Sequence, residues 1–336
     1  MKLSVIIPCF NSSKTIASSV DSILKQTYQD YEVIIVNDGS TDESEKVISS
    51  YLDDKRIKLY NKENGGLASA ISYGSKKATG DYVLYLDADD TYVENLFSTL
   101  VEEVEDFDAL SFGYKTVNEK GKEINTYSTS RREYEKEDMN FLLSHYYTDE
   151  NRFTAFRYIS VHRWAMMYKK EIVDKMIDIY QEENFSLYED YLFVSAALAE
   201  CSKVKNIPFI GVYYLQVTGS KSHSHVNQKE YEDLLQLRKR LRDYRDNYAK
   251  RNNLDKEIFS TMEFDVSKFY LSRFIKRHTF KESSLFFKRL KKDSIYEESK
   301  NKVNLKDESM KRKIYYFFLK HNMFLPIFLA FKLFDF

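Results

Sequence analysis

Short apolar runs separated by segments of helical period constrain this chain more than any other feature. Residues 3–7 (Leu-Ser-Val-Ile-Ile), stopped by Pro8, and residues 32–36 (Glu-Val-Ile-Ile-Val) read as strands. Both are mostly apolar without polar alternation, the pattern of strands buried on both faces of a parallel sheet. Between them Ile16, Val20, Ile23 and Leu24 recur at helical spacing over residues 13–26, which makes a βαβ unit with a right-handed crossover. Ser40-Thr41-Asp42-Glu43 reads as a capping box opening a helix to about Leu52. Ile57–Tyr60 reads as a short strand, residues 66–78 as a helix, and Tyr82–Leu86 as a strand that runs into Asp87-Ala88-Asp89-Asp90. This alternation argues an open α/β sheet, in which ligands bind beyond the carboxyl ends of the strands. Pro8 to Asn11, Asn37 to Ser40 and Asp87 to Asp90 lie at such ends.

Further on, residues 107–127 read as strands with a turn near Gly121. Residues 134–145, 169–181 and 189–199 read as helices, and Val204–Ile207 and Phe209–Leu215 as strands. Beyond residue 226 the pattern is helical and heavily charged, and the composition changes near residues 218–228. The formal charge of −1 conceals an asymmetry: residues 1–220 carry 24 Lys+Arg against 36 Asp+Glu, and residues 221–336 carry 27 against 16. Halves of opposite sign suggest separate jobs, the basic one suited to an anionic surface. At 336 residues and 43% hydrophobic the chain can bury a core in one large domain or two unequal ones. Cys9 and Cys201 stand far apart, which excludes a disulfide framework and favours a reducing compartment. The apolar opening is too short for a secretory leader, and no run of eighteen apolar residues encodes a standard transmembrane helix.

Two carboxylates at i and i+2 after a buried strand, Asp87 and Asp89, suit a hard divalent cation whose other positions phosphate oxygens fill. The alternative is a polar turn in which Asp90 caps the next helix. Asp38 suits a ribose hydroxyl or base edge, or is an ordinary turn residue. Phe10 suits a base, or the core, and Cys9 is small filler.

Taken together, four segments resemble glycosyltransferase family 2. They are Val5-Ile6-Ile7-Pro8-Cys9-Phe10-Asn11, Ile35-Val36-Asn37-Asp38-Gly39-Ser40-Thr41-Asp42, Asn64-Gly65-Gly66-Leu67 and Gly80 to Asp90. The resemblance implies the GT-A fold, a Rossmann-like, mostly parallel sheet flanked by helices, here followed by a helical C-terminal region. It also implies an inverting, metal-dependent reaction on a UDP-sugar. By that resemblance Pro8, Phe10 and Asp38 contact uracil and ribose, and Asn64 lies along the nucleotide. Asp87, with Ala88 beside it, reaches the ribose or sugar side, and Asp89 holds Mn²⁺ or Mg²⁺. The family often has Arg and Asn where Ile71 and Ser72 stand here; Lys76 is the candidate to supply the missing contact.

Leu187-Tyr188-Glu189-Asp190-Tyr191-Leu192-Phe193 resembles the family's Glu-Asp-x-x-Phe element, which implies Asp190 as catalytic base with Glu189 beside it. An acceptor hydroxyl attacking opposite the departing UDP needs a carboxylate to take its proton. Without that context the segment is a helix start favoured by the dipole. Trp164 suits a sugar face or the core, and His223-Ser224-His225 offers a further metal ligand, His225, or a solvated loop. Residues 311–336 hold two apolar runs broken by Lys320-His321-Asn322 and Pro326, suited to a membrane interface or to packing on the protein or a dimer partner.

The domains expected are a catalytic part at 1–220 (nucleotide-sugar half 1–95, acceptor half 96–220) and a basic region at 221–336. The expected function is transfer of a sugar from a UDP-sugar to a bacterial surface glycan or its lipid-linked precursor, by a cytoplasmic enzyme peripheral to the membrane. A polyprenyl-phosphate glycosyltransferase, a nucleotidyltransferase and an inactive glycan- or partner-binding module are the alternatives. Nucleic acid is disfavoured by the acidic first half and the lack of a recognisable motif, and a homo-oligomer is left open.

Overall fold

The computed structural model describes residues 1–128, 130–145, 159–160, 162–181, 189–216, 274–303 and 310–333, with a few isolated positions between 239 and 272. The chain divides into two compact units, Met1–Ser222 and His223–Phe336.

In the first unit the expected alternation is present: β1 (Leu3–Cys9), α1 (Ile16–Leu24), β2 (Tyr31–Asp38), α2 (Ser44–Ser49), β3 (Ile57–Lys62), α3 (Leu67–Lys77) and β4 (Tyr82–Tyr85). β5 (Thr91–Tyr92), α4 (Leu96–Glu103), β6 (Ala109–Asn118), β7 (Glu123–Tyr127), β8 (Arg132–Tyr134), α5 (Met139–His145), β9 (Met166–Lys169), α6 (Lys170–Gln181), α7 (Glu189–Glu200) and β10 (Val204–Gln216) follow. The sheet order is β3-β2-β1-β4-β9-β6-β10-β5, with β7 on β6 and β8 on β10. The β3-β2-β1-β4 half is parallel. Beyond β4 it turns mixed, because β9 runs antiparallel to both β4 and β6. Every residue of β1 and β2 is buried, as strands covered on both faces require. Ile16, Val20 and Ile23 of α1 are fully buried. Pro8 sits past the last β1–β4 pair, Ile6–Tyr85, so its missing N–H removes no bond to β4.

Three local expectations are corrected. No capping box opens α2, whose N-cap is Glu43 without a side-chain bond. Asp42 turns instead to the neighbouring loop, accepting from Ser13 N at 3.0 Å and from the Ser44 hydroxyl. Asp90 does not cap α4, whose N-cap is Asn95. Val204–Ile207 and Phe209–Leu215 form one strand, with register shifts on either side of Ile210. Pro208 in that stretch has no N–H to give the ladder.

Glu32 knits β1, β2 and β3 together. It is buried on β2 and accepts from Ser4 Oγ at 2.8 Å, Lys58 Nζ at 2.7 Å, and Thr79 N and Oγ1 at 2.7 Å each. Burial alone would raise its pKa, but the bonds from Lys58, Thr79 and Ser4 outweigh it and hold the carboxyl at about 2. Such a group stabilises the fold above its unfolded pKa, and the contribution is lost as pH falls through the folded value. The shift from 4.5 to about 2 corresponds to on the order of 3 kcal/mol. Denaturant unfolding of Glu32→Gln between neutral pH and pH 2 is expected to lack this part of the acid dependence. Parallel stability–pH curves for the two proteins would contradict it.

In the second unit α8 (Phe280–Leu290), α9 (Ser294–Ser299), α10 (Met310–Lys320) and α11 (Phe324–Leu333) are described. Thr279 and Glu282 form a reciprocal capping box at α8, and Asp293 caps α9 through Tyr296 N at 2.8 Å. Phe287 stacks on Phe324, Tyr315 meets Phe331 edge-on, and Tyr296 Oη donates to Leu319 O at 3.0 Å. The inner faces of residues 311–333 therefore belong to this unit's core. Among the described residues no helix is long and apolar enough to cross a membrane.

Candidate active site

The loops after β1, β2 and β3 are tied into one platform. Asn11, at φ 50°, donates from N to Ser40 Oγ at 3.0 Å and accepts from Thr41 N at 2.8 Å. Asp38 is buried at the end of β2, and its carboxylate accepts from Lys62 Nζ at 2.6 Å, Gly65 N at 3.0 Å and Gly66 N at 2.8 Å. Asn64 Nδ2 donates to the Asp38 carbonyl at 2.9 Å. The crossing is too close for a side chain at Gly39 (φ +71°), where a Cβ would lie 2.8 Å from Asn64 N. Asp38 is thus the organiser of the Asn64–Gly66 loop. Three of its roughly four acceptor sites are used internally. Pro8 is buried in β1, whereas Phe10 stands 47% exposed just beyond the strand.

A second cluster forms where β4 ends. Asp87, Ala88, Asp89 and Asp90 follow it directly. Asp89 is exposed, and Asp90 is fully buried, accepting from Leu215 N of β10 at 2.8 Å. The β5–β10 pairing Tyr92–Val212 clamps the other end of this loop. Facing Asp87 is Arg163, whose side chain is fully buried, with its guanidinium 5.3 Å over the Tyr85 ring. Arg163 Nη2 lies 3.2 Å from Asp87 Oδ1 and 3.4 Å from Asp190 Oδ1, at the start of α7. His162 Nδ1 lies 3.5 Å from Asp190 Oδ2, and its Nε2 is 3.3 Å from Tyr114 Oη on β6.

One guanidinium therefore joins the acidic loop to α7, and the carboxylates around it are in unlike states. Burial pushes the Asp87 carboxyl up to about 7 in spite of Arg163, with repulsion from Asp190 and Asp89 added. Burial also raises Asp90 well above the usual range, helped by Asp87 and Asp89, and Asp89, though open to solvent on one side, is raised by the desolvation of the surrounding protein. Burial would raise Asp190 too, but Arg163 and His162 outweigh it and hold this carboxylate below its ordinary value. An ionised carboxylate and a crowd of desolvated ones thus share one site.

The structure brings Asp87, Ala88, Asp89 and Asp190 together, and Phe10, Asp38 and Asn64 onto the neighbouring strand ends. Lys76 stands apart: on the last turn of α3 it pairs with Asp178 of α6 at 2.8 Å. Ile71 and Ser72 are buried on α3, so both positions serve packing here. Trp164 requires a correction. It is 3% exposed, with His162 stacked at 4.7 Å and Tyr214 at 5.4 Å, near-parallel to it, and Tyr114 edge-on. With these rings packed against it, it is core and not a platform for a sugar. The side chain of Glu189, and all of His223 and His225, lie outside the described residues. Arg163, His162, Tyr114 and Asp90 were not singled out as site residues from the sequence. The signals in the sequence are the segment His162 to Lys170, which resembles the family's Trp-x-x-(apolar)-Tyr element and carries His162 and Arg163 just before the sole Trp, and a third Asp in the acidic run.

A β3-β2-β1-β4 parallel half carrying an acidic loop, continued by a mixed half that brings Asp190 to the end of β4, is the GT-A fold. The sequence model of glycosyl transferase family 2 matches residues 4–177, and the chain belongs to that family. EpsJ of Bacillus subtilis, a glycosyltransferase, is 32% identical over 207 residues, 60% of this chain and 58% of EpsJ. The glycosyltransferase GlyG of Streptococcus pneumoniae is 40% identical over 109 residues, 32% of this chain and 36% of GlyG. The chain thus matches less than two thirds of each of these relatives. Residues 1–349 of TarS from S. aureus, in complex with UDP-GlcNAc, share the fold with a TM-score of 0.70 at 19% identity, over 98% of this chain and 90% of that one.

Proposed function

We propose that the chain is a divalent-cation-dependent, inverting glycosyltransferase that moves a sugar from a UDP-sugar to a hydroxyl of a bacterial surface glycan or its lipid-linked precursor. The observation that carries this reading is the convergence of Asp87 and Asp190 on Arg163, with Nη2 at 3.2 and 3.4 Å. It sets a donor-side carboxylate beside an ionised candidate base. The family membership, the named relatives and the fold shared with a UDP-GlcNAc complex support it. Residues 1–220 carry the chemistry, with Phe10, Asp38 and Asn64 on the nucleotide side and residues 96–220 on the acceptor side.

Asp190 accepts the proton of the attacking hydroxyl, because Arg163 and His162 keep it ionised. Arg163 orients Asp190 through the contact it shares with Asp87. The donor set fits Mn²⁺ or Mg²⁺. Asp87 lies 3.2 Å from the guanidinium that it shares with Asp190, and Asp89 is exposed, with no ion pair to a Lys, Arg or His among the described residues. Among the described residues no group of three His, Cys, Asp or Glu forms an all-protein cage. That suits ions which keep waters and substrate phosphates as ligands. Asp89, with Asp87, would hold the cation, which when bound offsets charge on the departing diphosphate.

A panel of nucleotide sugars with Mn²⁺, read by UDP release, tests the reading. Release of pyrophosphate would mark a nucleotidyltransferase, and no turnover with any donor a binding module. Asp89→Ala is expected to abolish turnover and the cation-dependent part of UDP binding. Equal UDP affinity of this variant and the wild type, both in Mn²⁺ and in chelator, would remove the metal assignment.

A further inference from the structure

We propose that the second unit carries a docking surface for an anionic lipid bilayer, formed by the outer leucines of α11 and the cations at the end of α8. Exposed large apolar side chains are concentrated in this unit. Six are described in residues 1–222, and nine in the fewer described residues beyond. On α11 three of them, Leu325, Leu329 and Leu333, recur at i, i+4 and i+8 and so share one face, at 55, 42 and 66% exposure. Ile327 and Phe331, between them in sequence, are buried. The helix thus has an inner face that holds the unit together and an outer face that covers nothing within it. Its ten residues span about 15 Å, half the hydrocarbon thickness of a bilayer. It can lie in an interface but cannot cross one.

A groove of about 620 Å³ adjoins this helix. Leu285, Lys288, Arg289, Lys291, Lys292 and Asn322 line it. Asn322, at φ 57°, is in the turn that leads into α11, so one lining residue of the groove lies three positions before Leu325, the first leucine of the stripe. Glu297 also lines the groove but is paired with Lys300. Among the described residues none of the four cations has a carboxylate partner.

Charge decides between occupants. Residues 221–336 carry 27 Lys+Arg against 16 Asp+Glu, so a second copy of this surface would bring unpaired like charges together. A soluble polyanion would satisfy the cations but leave the leucines in water. An anionic bilayer satisfies both, and it repels residues 1–220, with 24 Lys+Arg against 36 Asp+Glu.

The test is co-sedimentation of the full chain with vesicles of phosphatidylcholine, alone or mixed with phosphatidylglycerol. The wild type is expected to bind the mixed vesicles, more weakly as salt rises but without full loss, and the neutral ones poorly. Each cation near an anionic surface contributes about five-fold. Lys288→Gln/Arg289→Gln/Lys291→Gln/Lys292→Gln should therefore lower partitioning on the order of 10³-fold. Leu325→Gln/Leu329→Gln/Leu333→Gln should remove the part that survives high salt. All seven positions are solvent-facing or line the open groove, and melting curves check whether each variant folds. If the leucine variant does not fold, the cation variant and the salt series still decide. Equal sedimentation of wild type and both variants overturns the proposal. So does sedimentation velocity without lipid showing that the leucine variant dissociates a wild-type oligomer. Binding of soluble polyphosphate with no binding to either vesicle overturns it as well.

Discussion

Asp190→Asn is expected to bind a UDP-sugar as well as the wild type and to transfer it on the order of 10²–10⁴-fold more slowly, the usual contribution of a general base. The amide matches the carboxylate in shape but cannot accept the proton of the attacking hydroxyl. Arg163 keeps its second partner, Asp87, at 3.2 Å, so the cluster is not emptied by the change. Donor affinity from titration calorimetry and single-turnover transfer at saturating donor and acceptor separate the two effects. Near-native transfer would place the base elsewhere, whereas lost donor affinity would make Asp190 a donor ligand.

Arg163→Met is expected to destabilise the first unit by about 3–5 kcal/mol, the range for breaking a buried pair by removing one partner. The side chain is fully buried and lies between two carboxylates. Removing it leaves Asp87 and Asp190 facing each other. Loss of the positive charge also raises the pKa of Asp190, since Arg163 is the main influence opposing its burial. The acid limb of the rate–pH profile should therefore move to higher pH, because the base is protonated over a wider range. Arg163→Lys restores a charge but not the fork, and should recover stability in part. An unchanged melting temperature with an unchanged acid limb would show that Arg163 neither holds the cluster nor sets the base.

The loops at the strand ends of the parallel half were legible from sequence because their signals are local. Asp87 and Asp89 follow a strand whose burial is written in its own apolar run, and Asp38 and Asn64 stand at the ends of similar segments. The β9 strand was not legible. Met166–Lys169 is four residues long and carries no period of its own. It becomes a strand because β4 and β6 each leave an edge for it. Trp164 shows the same limit from the other side: an aromatic suits a sugar or a core, and only the position of His162, Tyr214 and Tyr114 around it decides.

Periodicity and turn chemistry act over a few residues, so the parallel β3-β2-β1-β4 half, the loops where its strands end and the family to which they point can be read from local sequence. The ionisation state of those groups is set by long-range packing. Asp87 and Asp190 are 103 positions apart in sequence, yet share Arg163, 76 positions from one and 27 from the other. One carboxyl is pushed up to about 7 and the other held down. Burial and the placement of a single guanidinium set that difference, and both are created only when distant segments pack together.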